Sequence, residues 1–373
     1  MYRFECPTLG ALNQFYSDYQ QKIVDGVNFF LGGGGVDVTF NDKAKTTVKV
    51  GVDVGSPTDR FLKHILQPRN LHDLMTINPQ DFLKVIKYVY GLFPQIPSGL
   101  EILANSRLSW GIYQKYYPGN PKRIDHFNTI VHHIFVDRVF DGIDANGNAI
   151  FDKKKFCKKA QVVICPYCGA EDITTSKIRV ANGASVVKPD VDHFLPKSKY
   201  PYLAMSFGNL IPTSVPCNRS RKRTMDPVAD FAKPSFLLQN PYLYDDLKMV
   251  FYYDFNNTNR SYASAYKVKV RGDKALKVGY KMMGYDSLYN GKAFMVGELY
   301  DQMAGLSQQY YDMLQTYGIP QEQWGKMKQP DLQLVLGYDT NEVSARIHPY
   351  YKFRHDMAMQ LIRDSGCNWP WLK

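Results

Sequence analysis

Apolar residues recur at helical spacing over the first thirty positions, where Leu12, Tyr16, Tyr19, Ile23 and Val27 share one face. The run LGGGG then breaks the pattern. No Gly-Lys-Ser/Thr follows it, so it reads as a turn and not as a phosphate loop. Alternation takes over next: Val36, Val38 and Phe40 precede Asn41-Asp42-Lys43, and Val48, Val50, Val52 and Val54 follow, which predicts a hairpin. Helices resume after Pro57. Asn78-Pro79 supplies a capping side chain and a proline for the first helical position, so DFLKVIKYVYGLF reads as a helix stopped by Pro94. A further helix covers about Ile124 to Val139 and carries His126, His132 and His133. Without an HExxH or a matching acid, these read as packed or surface histidines. Asp141-Gly142 and Asn146-Gly147 mark the loop that ends this mostly helical region, residues 1–150.

The period changes from helix to strand in the middle of the chain. Gln161 to Ile164 is a short apolar strand leading into the knuckle Cys165-Pro166-Tyr167-Cys168-Gly169. A second strand, ITTSKIRV, reaches Asn182-Gly183, a hairpin signal, and the return strand SVVKPDVDHF runs to Pro196. A short strand LIPT and a basic helix after Cys217 complete this central unit, residues 151–230. Asp226 to Lys233 reads as a linker. Beyond it, NPYLYDDLKMVFYYDF and SYASAYKVKV predict a small sheet, and two long patterns predict helices, one of them despite Pro349. The aromatic ending CNWPWLK would dock on the body or on a partner. Residues 231–373 therefore read as a mixed, then helical region, a partner or specificity surface. The fold class is α+β: a mostly helical protein with small β-hairpins and a central β-rich finger.

Charge sharpens the picture. The chain of 373 residues carries a formal net charge of +11, and residues 151–225 alone hold 14 Lys/Arg against 5 acids. A basic cluster around a metal-type motif suits a polyphosphate partner; the competing reading is a solvated face or a patch for an acidic protein. The 27 Tyr and 21 Phe are mainly core and interface residues. Of six Cys, three stand in the central unit with metal-ligand spacing. No secretory leader and no apolar run of roughly 18 residues is visible, so a reducing cytoplasm and no membrane are expected.

The chemistry concentrates between Cys165 and Arg223. Two thiolates on a tight knuckle can share one ion. Asp190 and Asp192 lie on one face of their strand by the two-residue period, and His193 follows at its end. Asp192 is a hard oxygen ligand for Mg²⁺ or a similar cation, Asn218 a neutral amide ligand, and His193 a general base for water. Asn209, just before LIPT, can brace the backbone that carries the base. Lys197, Lys199, Arg219, Arg221, Lys222 and Arg223 can grip phosphates.

This string, DVDHFLPKSKYP, then NL, then CN, with a CxxC ahead, resembles the HNH endonuclease family, the His-Me finger or ββα-metal nucleases, in its bacterial defence and restriction branch. The likeness covers about 60 residues. It implies a ββα-metal finger with His193 as general base, Asp192 and Asn218 as ligands of a catalytic Mg²⁺ or Mn²⁺, and Asn209 as the brace. It implies hydrolysis of phosphodiester bonds in DNA, and a part in phage defence or restriction, with an ATPase or another defence subunit as partner. Zinc-bearing members often end C-x-x-C-N; here Ser214 stands first in Ser214-Val215-Pro216-Cys217-Asn218, which leaves Cys165, Cys168 and Cys217 for a structural Zn²⁺. Cys157 would need a fold-back to join them, and three thiols packing the finger are the alternative. Two rival functions stand: a non-catalytic nucleic-acid-binding module and a protein–protein adaptor.

Overall fold

The computed structural model describes residues 9–93, 108–174, 176–180, 183–187, 189–228, 238–243, 249–255, 266–318, 336 and 348–364. The protein is α+β and mostly helical, with two- and three-stranded sheets inserted between helices. Helix α1 (Leu9–Leu31) buries Tyr19, Ile23 and Val27 of the expected stripe together with Phe15 and Phe30, while Tyr16 is half-buried. Gly33, at φ 87, turns the chain into β1 (Gly35–Thr39). β1 pairs antiparallel with β2 (Thr47–Gly51), with Val36 opposite Val50 and Val38 opposite Val48. Asp42 holds the turn by accepting from the Thr46 N–H and hydroxyl. A two-residue strand, β3 (Arg123–Ile124), adds in parallel to β2.

Helices α2 (Pro57–Ile65) and α3 (Pro68–Met75) each open on a proline. Asn78 caps a single 3₁₀ turn at Pro79–Asp81 before α4 (Phe82–Gly91). After α5 (Trp110–Tyr116), His126 caps α6 (Phe127–His132), which continues as a π-wound segment, His133–Phe140. Helix α7 (Lys153–Ala160) then packs Phe156 against Phe15 of α1, ring centroids 6.0 Å apart.

The finger is built from β4 (Ser176–Val180) paired with β5 (Gly183–Val187), and β6 (Asp190–His193) paired with β7 (Leu210–Thr213). The expected return strand is therefore two strands in two sheets. Pro189 lies at the break; it has no N–H for a ladder and its φ is fixed. Helix α8 (Pro216–Lys222) is π-wound, closed by the Arg223 N–H on the Asn218 carbonyl at 2.8 Å. Of the expected linker Asp226 to Lys233, residues 229–233 lie outside the described ones, and Asp226 itself is held in place. Its buried carboxylate accepts from the Tyr200 hydroxyl, the Lys199 ammonium and the Val228 N–H.

The C-terminal part pairs β8 (Met249–Phe255) with β9 (Tyr266–Gly272) antiparallel. Helices α9 (Lys274–Met282), α10 (Tyr285–Asn290) and α11 (Phe294–Thr316) follow. The last helix, α12 (Tyr351–Asp364), begins after Pro349 and does not run through it. The ending CNWPWLK lies outside the described residues.

Candidate functional site: the ββα finger

His193 closes β6, directly opposite Leu210. It is only 6% exposed, yet it lines a cavity of about 280 Å³ together with Phe140, Asp190, Lys197, Asn218 and Arg223. Its Nε2 lies 3.0 Å from the Ala204 carbonyl oxygen. A carbonyl only accepts, so Nε2 carries the proton and the neutral ring keeps its lone pair on Nδ1. Burial drives the His193 pKa well below its ordinary value, and the nearby Lys197, Lys222 and Lys153 push the same way. The ring is thus neutral, the form a base requires. The Phe140 ring packs edge-on against it at 4.3 Å.

Asn209 fixes both ends of that hydrogen bond. Its Oδ1 accepts from the Leu195 N–H at 2.7 Å, and its Nδ2 donates to the carbonyls of Leu195 at 3.2 Å and Leu203 at 3.0 Å. One set of contacts locks the strand end that carries His193; the other locks the residue beside Ala204. The backbone around Asn209 is held from both flanks. Gly208 lies so close to the Pro79 turn that an added Cβ would stand 2.8 Å from the Pro79 ring, and its carbonyl accepts from Asn240 Nδ2 at 3.0 Å.

The two acids of β6 have different surroundings. Asp192 is 4% exposed, and its carboxylate accepts from the Tyr167 hydroxyl at 2.6 Å and pairs with the Lys222 ammonium at 3.1 Å. Lys222 also donates to the His193 carbonyl at 2.7 Å. Burial pushes the Asp192 carboxyl up, against the pull of Lys222. The carboxylate that meets Asn218 is Asp190: Asn218 Nδ2 donates to it at 3.3 Å and Arg219 at 2.9 Å. The expected pairing of Asp192 with Asn218 around one cation is therefore not the one drawn together here. At Asp192 the charge partner is the Lys222 ammonium.

The cations assigned to phosphate divide in the same way. Lys222 is buried and paired, so it is no phosphate contact in this conformation. Arg221 is turned back to Glu171 at 3.0 Å and to the Cys217 sulfur at 3.3 Å. Lys199 pairs with Asp226. Lys197, Arg219 and Arg223 do line the cavity, Lys197 beside Asp141 and Arg219 on Asp190. Lys153 joins them from the head of α7, its ammonium 4.8 Å from the Phe140 ring. Sequence reading missed Lys153, Phe140 and Tyr167. The lysine run 153–155 was the one available signal, and it did not say which lysine turns inward.

The sulfur atoms of Cys165, Cys168 and Cys217 lie within 4.8 Å of one another, all buried, a group that could hold a metal ion. Burial opposes ionising Cys165, but hydrogen bonds from Cys168 and Cys217 more than reverse this and hold it well below the ordinary thiol value. The same bond to Cys165 pushes Cys217 up to about 12. Ser214 adds no fourth donor; its hydroxyl accepts from the Cys217 N–H at 3.4 Å. Cys157 lines a different cavity, with Lys158 and Val162. The buried Tyr285 hydroxyl has no partner among the described residues and lies near enough for all three sulfurs to raise its pKa. Such a donor set fits a thiophilic ion.

The chain matches no family model, and no curated protein or solved structure matches it significantly. No helix among the described residues is long and apolar enough to cross a membrane.

Proposed function

We propose that this chain is an HNH-type endonuclease that hydrolyses phosphodiester bonds of DNA. The observation that carries the reading is the His193–Ala204–Asn209 arrangement, a neutral imidazole fixed in one tautomer at the wall of a basic cavity. In this reading Lys153, Lys197, Arg219 and Arg223 receive the phosphate. His193 takes a proton from water at Nδ1 while its Nε2–H stays on the Ala204 carbonyl, which stabilises the imidazolium as it forms. The charge of a docked phosphate raises the proton affinity of the ring, so the base strengthens as substrate arrives. A divalent cation, Mg²⁺ or Mn²⁺, would polarise the phosphate and stabilise the leaving oxygen. Asp190 and Asn218 would hold it, with Asp192 joining once Lys222 withdraws. Zinc at Cys165, Cys168 and Cys217 would stiffen the finger. The resemblance adds a role in phage defence or restriction beside an ATPase partner.

The test is plasmid DNA with Mg²⁺ or Mn²⁺, an EDTA control, and His193→Ala alongside. Metal-dependent nicking should fall by about 100-fold or more in the variant, the usual contribution of a general base. One observation favours a second reading: the Lys222–Asp192 pair, if permanent, makes the finger a nucleic-acid-binding module without chemistry. Wild-type protein that binds the plasmid and leaves it intact would decide for that module.

A further inference from the structure

A cavity of about 590 Å³ lies away from the finger, between β9 and α9. Five lysines line it: Lys267, Lys269, Lys274, Lys277 and Lys281, with Asp286 as the one acid. They form two rows. Lys267 and Lys269 alternate along one face of β9, and Lys274, Lys277 and Lys281 recur at three- and four-residue steps along α9. Lys269 is neutralised by Asp254. The other four are exposed, and among the described residues none of them forms a salt bridge. Lys274 opens α9 directly after its N-cap, Asp273, whose carboxylate accepts from the Ala275 and Leu276 N–H groups.

We infer that this groove binds the sugar–phosphate backbone of nucleic acid outside the cleavage site; the inference rests on the reading of the finger as a nucleic-acid site. Two short cationic rows lining one groove match a continuous polyanion better than a single acidic side chain. Two aromatic rings line the groove: Tyr252 is covered by the Arg271 guanidinium at 4.5 Å, and Tyr280 is buried edge-on against Phe251, so neither offers an open face for a base. The contact is therefore to phosphates and independent of sequence. The groove is also coupled to the finger. α10 lines it with Asp286 and Asn290, and the same short helix sends the Tyr289 hydroxyl to the Cys168 carbonyl in the knuckle. A duplex held in the groove is thus held by an element that touches the finger.

The experiment uses the full chain carrying His193→Ala, in EDTA, so that binding is read without cutting. A fluorescent 30-base-pair duplex is titrated across a salt series. The variant combines Lys274→Gln, Lys277→Gln and Lys281→Gln, all exposed positions. A charge-matched control combines Lys22→Gln, Lys43→Gln and Lys87→Gln, exposed residues of the N-terminal part. The groove variant should weaken binding at least 10-fold and flatten the log–log salt slope by roughly 2.7, about 0.9 per lost phosphate contact. The control should leave the slope unchanged. An unchanged slope in the groove variant, or an equal loss in the control, overturns the inference. So does displacement of the duplex by poly-glutamate at equal charge, which would assign the groove to an acidic protein. None of these outcomes depends on cleavage, so the plasmid assay with His193→Ala fails or succeeds separately.

Discussion

Asn209 has no exposed surface and makes three side-chain hydrogen bonds to backbone, which makes it the residue whose loss is easiest to read. Asn209→Ala leaves the Leu195 N–H and the Leu195 and Leu203 carbonyls without that partner. Each buried orphan costs about 1–3 kcal/mol, so urea unfolding should show a loss of at least about 3 kcal/mol. A loss below about 1 kcal/mol would remove Asn209 as the brace. His126 sets a pH dependence. It is fully buried, caps α6 through Nδ1, and burial lowers its pKa from 6.5 to about 4. Between those values the unfolded chain binds a proton that the folded chain does not. Stability is therefore complete above about pH 6.5 and falls as the pH drops towards about 4, by up to about 3 kcal/mol. Burial makes His193 act in the same direction. His126→Asn keeps a capping acceptor and cannot titrate, so its urea midpoint should fall less steeply over that window than the wild-type midpoint.

Among the elements, the β8–β9 ribbon has an arrangement that two strands alone would not survive. Tyr253 faces Val268 across the ladder. On the β8 edge, Gln360 of α12 accepts from the Tyr253 N–H at 2.8 Å and donates to its carbonyl at 3.0 Å. On the β9 edge, Asn290 of α10 does the same to Val268, at 3.0 and 3.3 Å. Two amide side chains thus continue one rung of the ladder outwards and cover both edges. Gln360→Ala should cost about 1–2 kcal/mol by urea unfolding and speed amide exchange at Tyr253, and Asn290→Ala should do the same at Val268. The alternation in VFYYDF and YKVKV made the ribbon legible from sequence, as the Val pattern did for β1 and β2, because a period of two survives without knowledge of the neighbours. The split at Pro189 was marked by the proline itself, yet the long apolar run hid it. Lys222 was not legible. Cys217 and Lys222 are five residues apart, which on an α-helix separates them by about 140° and points the lysine to solvent. α8 is π-wound, and the wider turn buries both on the inner side. Winding of this kind is decided by the tertiary contacts of Cys217 and Asp192, not by local propensity.

At the scale of the whole molecule, the finger is fastened to the parts before and after it. Ser206 donates to the Leu74 carbonyl of α3 at 2.7 Å, and the Tyr242 hydroxyl donates to the Leu210 carbonyl of β7 at 2.8 Å. The Tyr350 N–H donates to the Gly169 carbonyl at 2.6 Å, and the buried core is one cluster that includes Phe15, Cys165, Ile211 and Leu361. A metal ion at the three sulfurs would therefore stabilise more than its own knuckle, because Tyr289 and Tyr350 hang the C-terminal helices on that knuckle's carbonyls. Purified protein should carry about one zinc per chain by elemental analysis. Removing it with a strong chelator should shift the main calorimetric transition down by several degrees, the scale expected for a loss of a few kcal/mol in a chain of this size. Cys168→Ala should show the same shift without chelator and no further change with it. If chelation instead melts a small separate transition and leaves the main one in place, the finger unfolds on its own and the C-terminal helices do not depend on it. If the protein carries no zinc and chelation changes nothing, the three thiols only pack the finger.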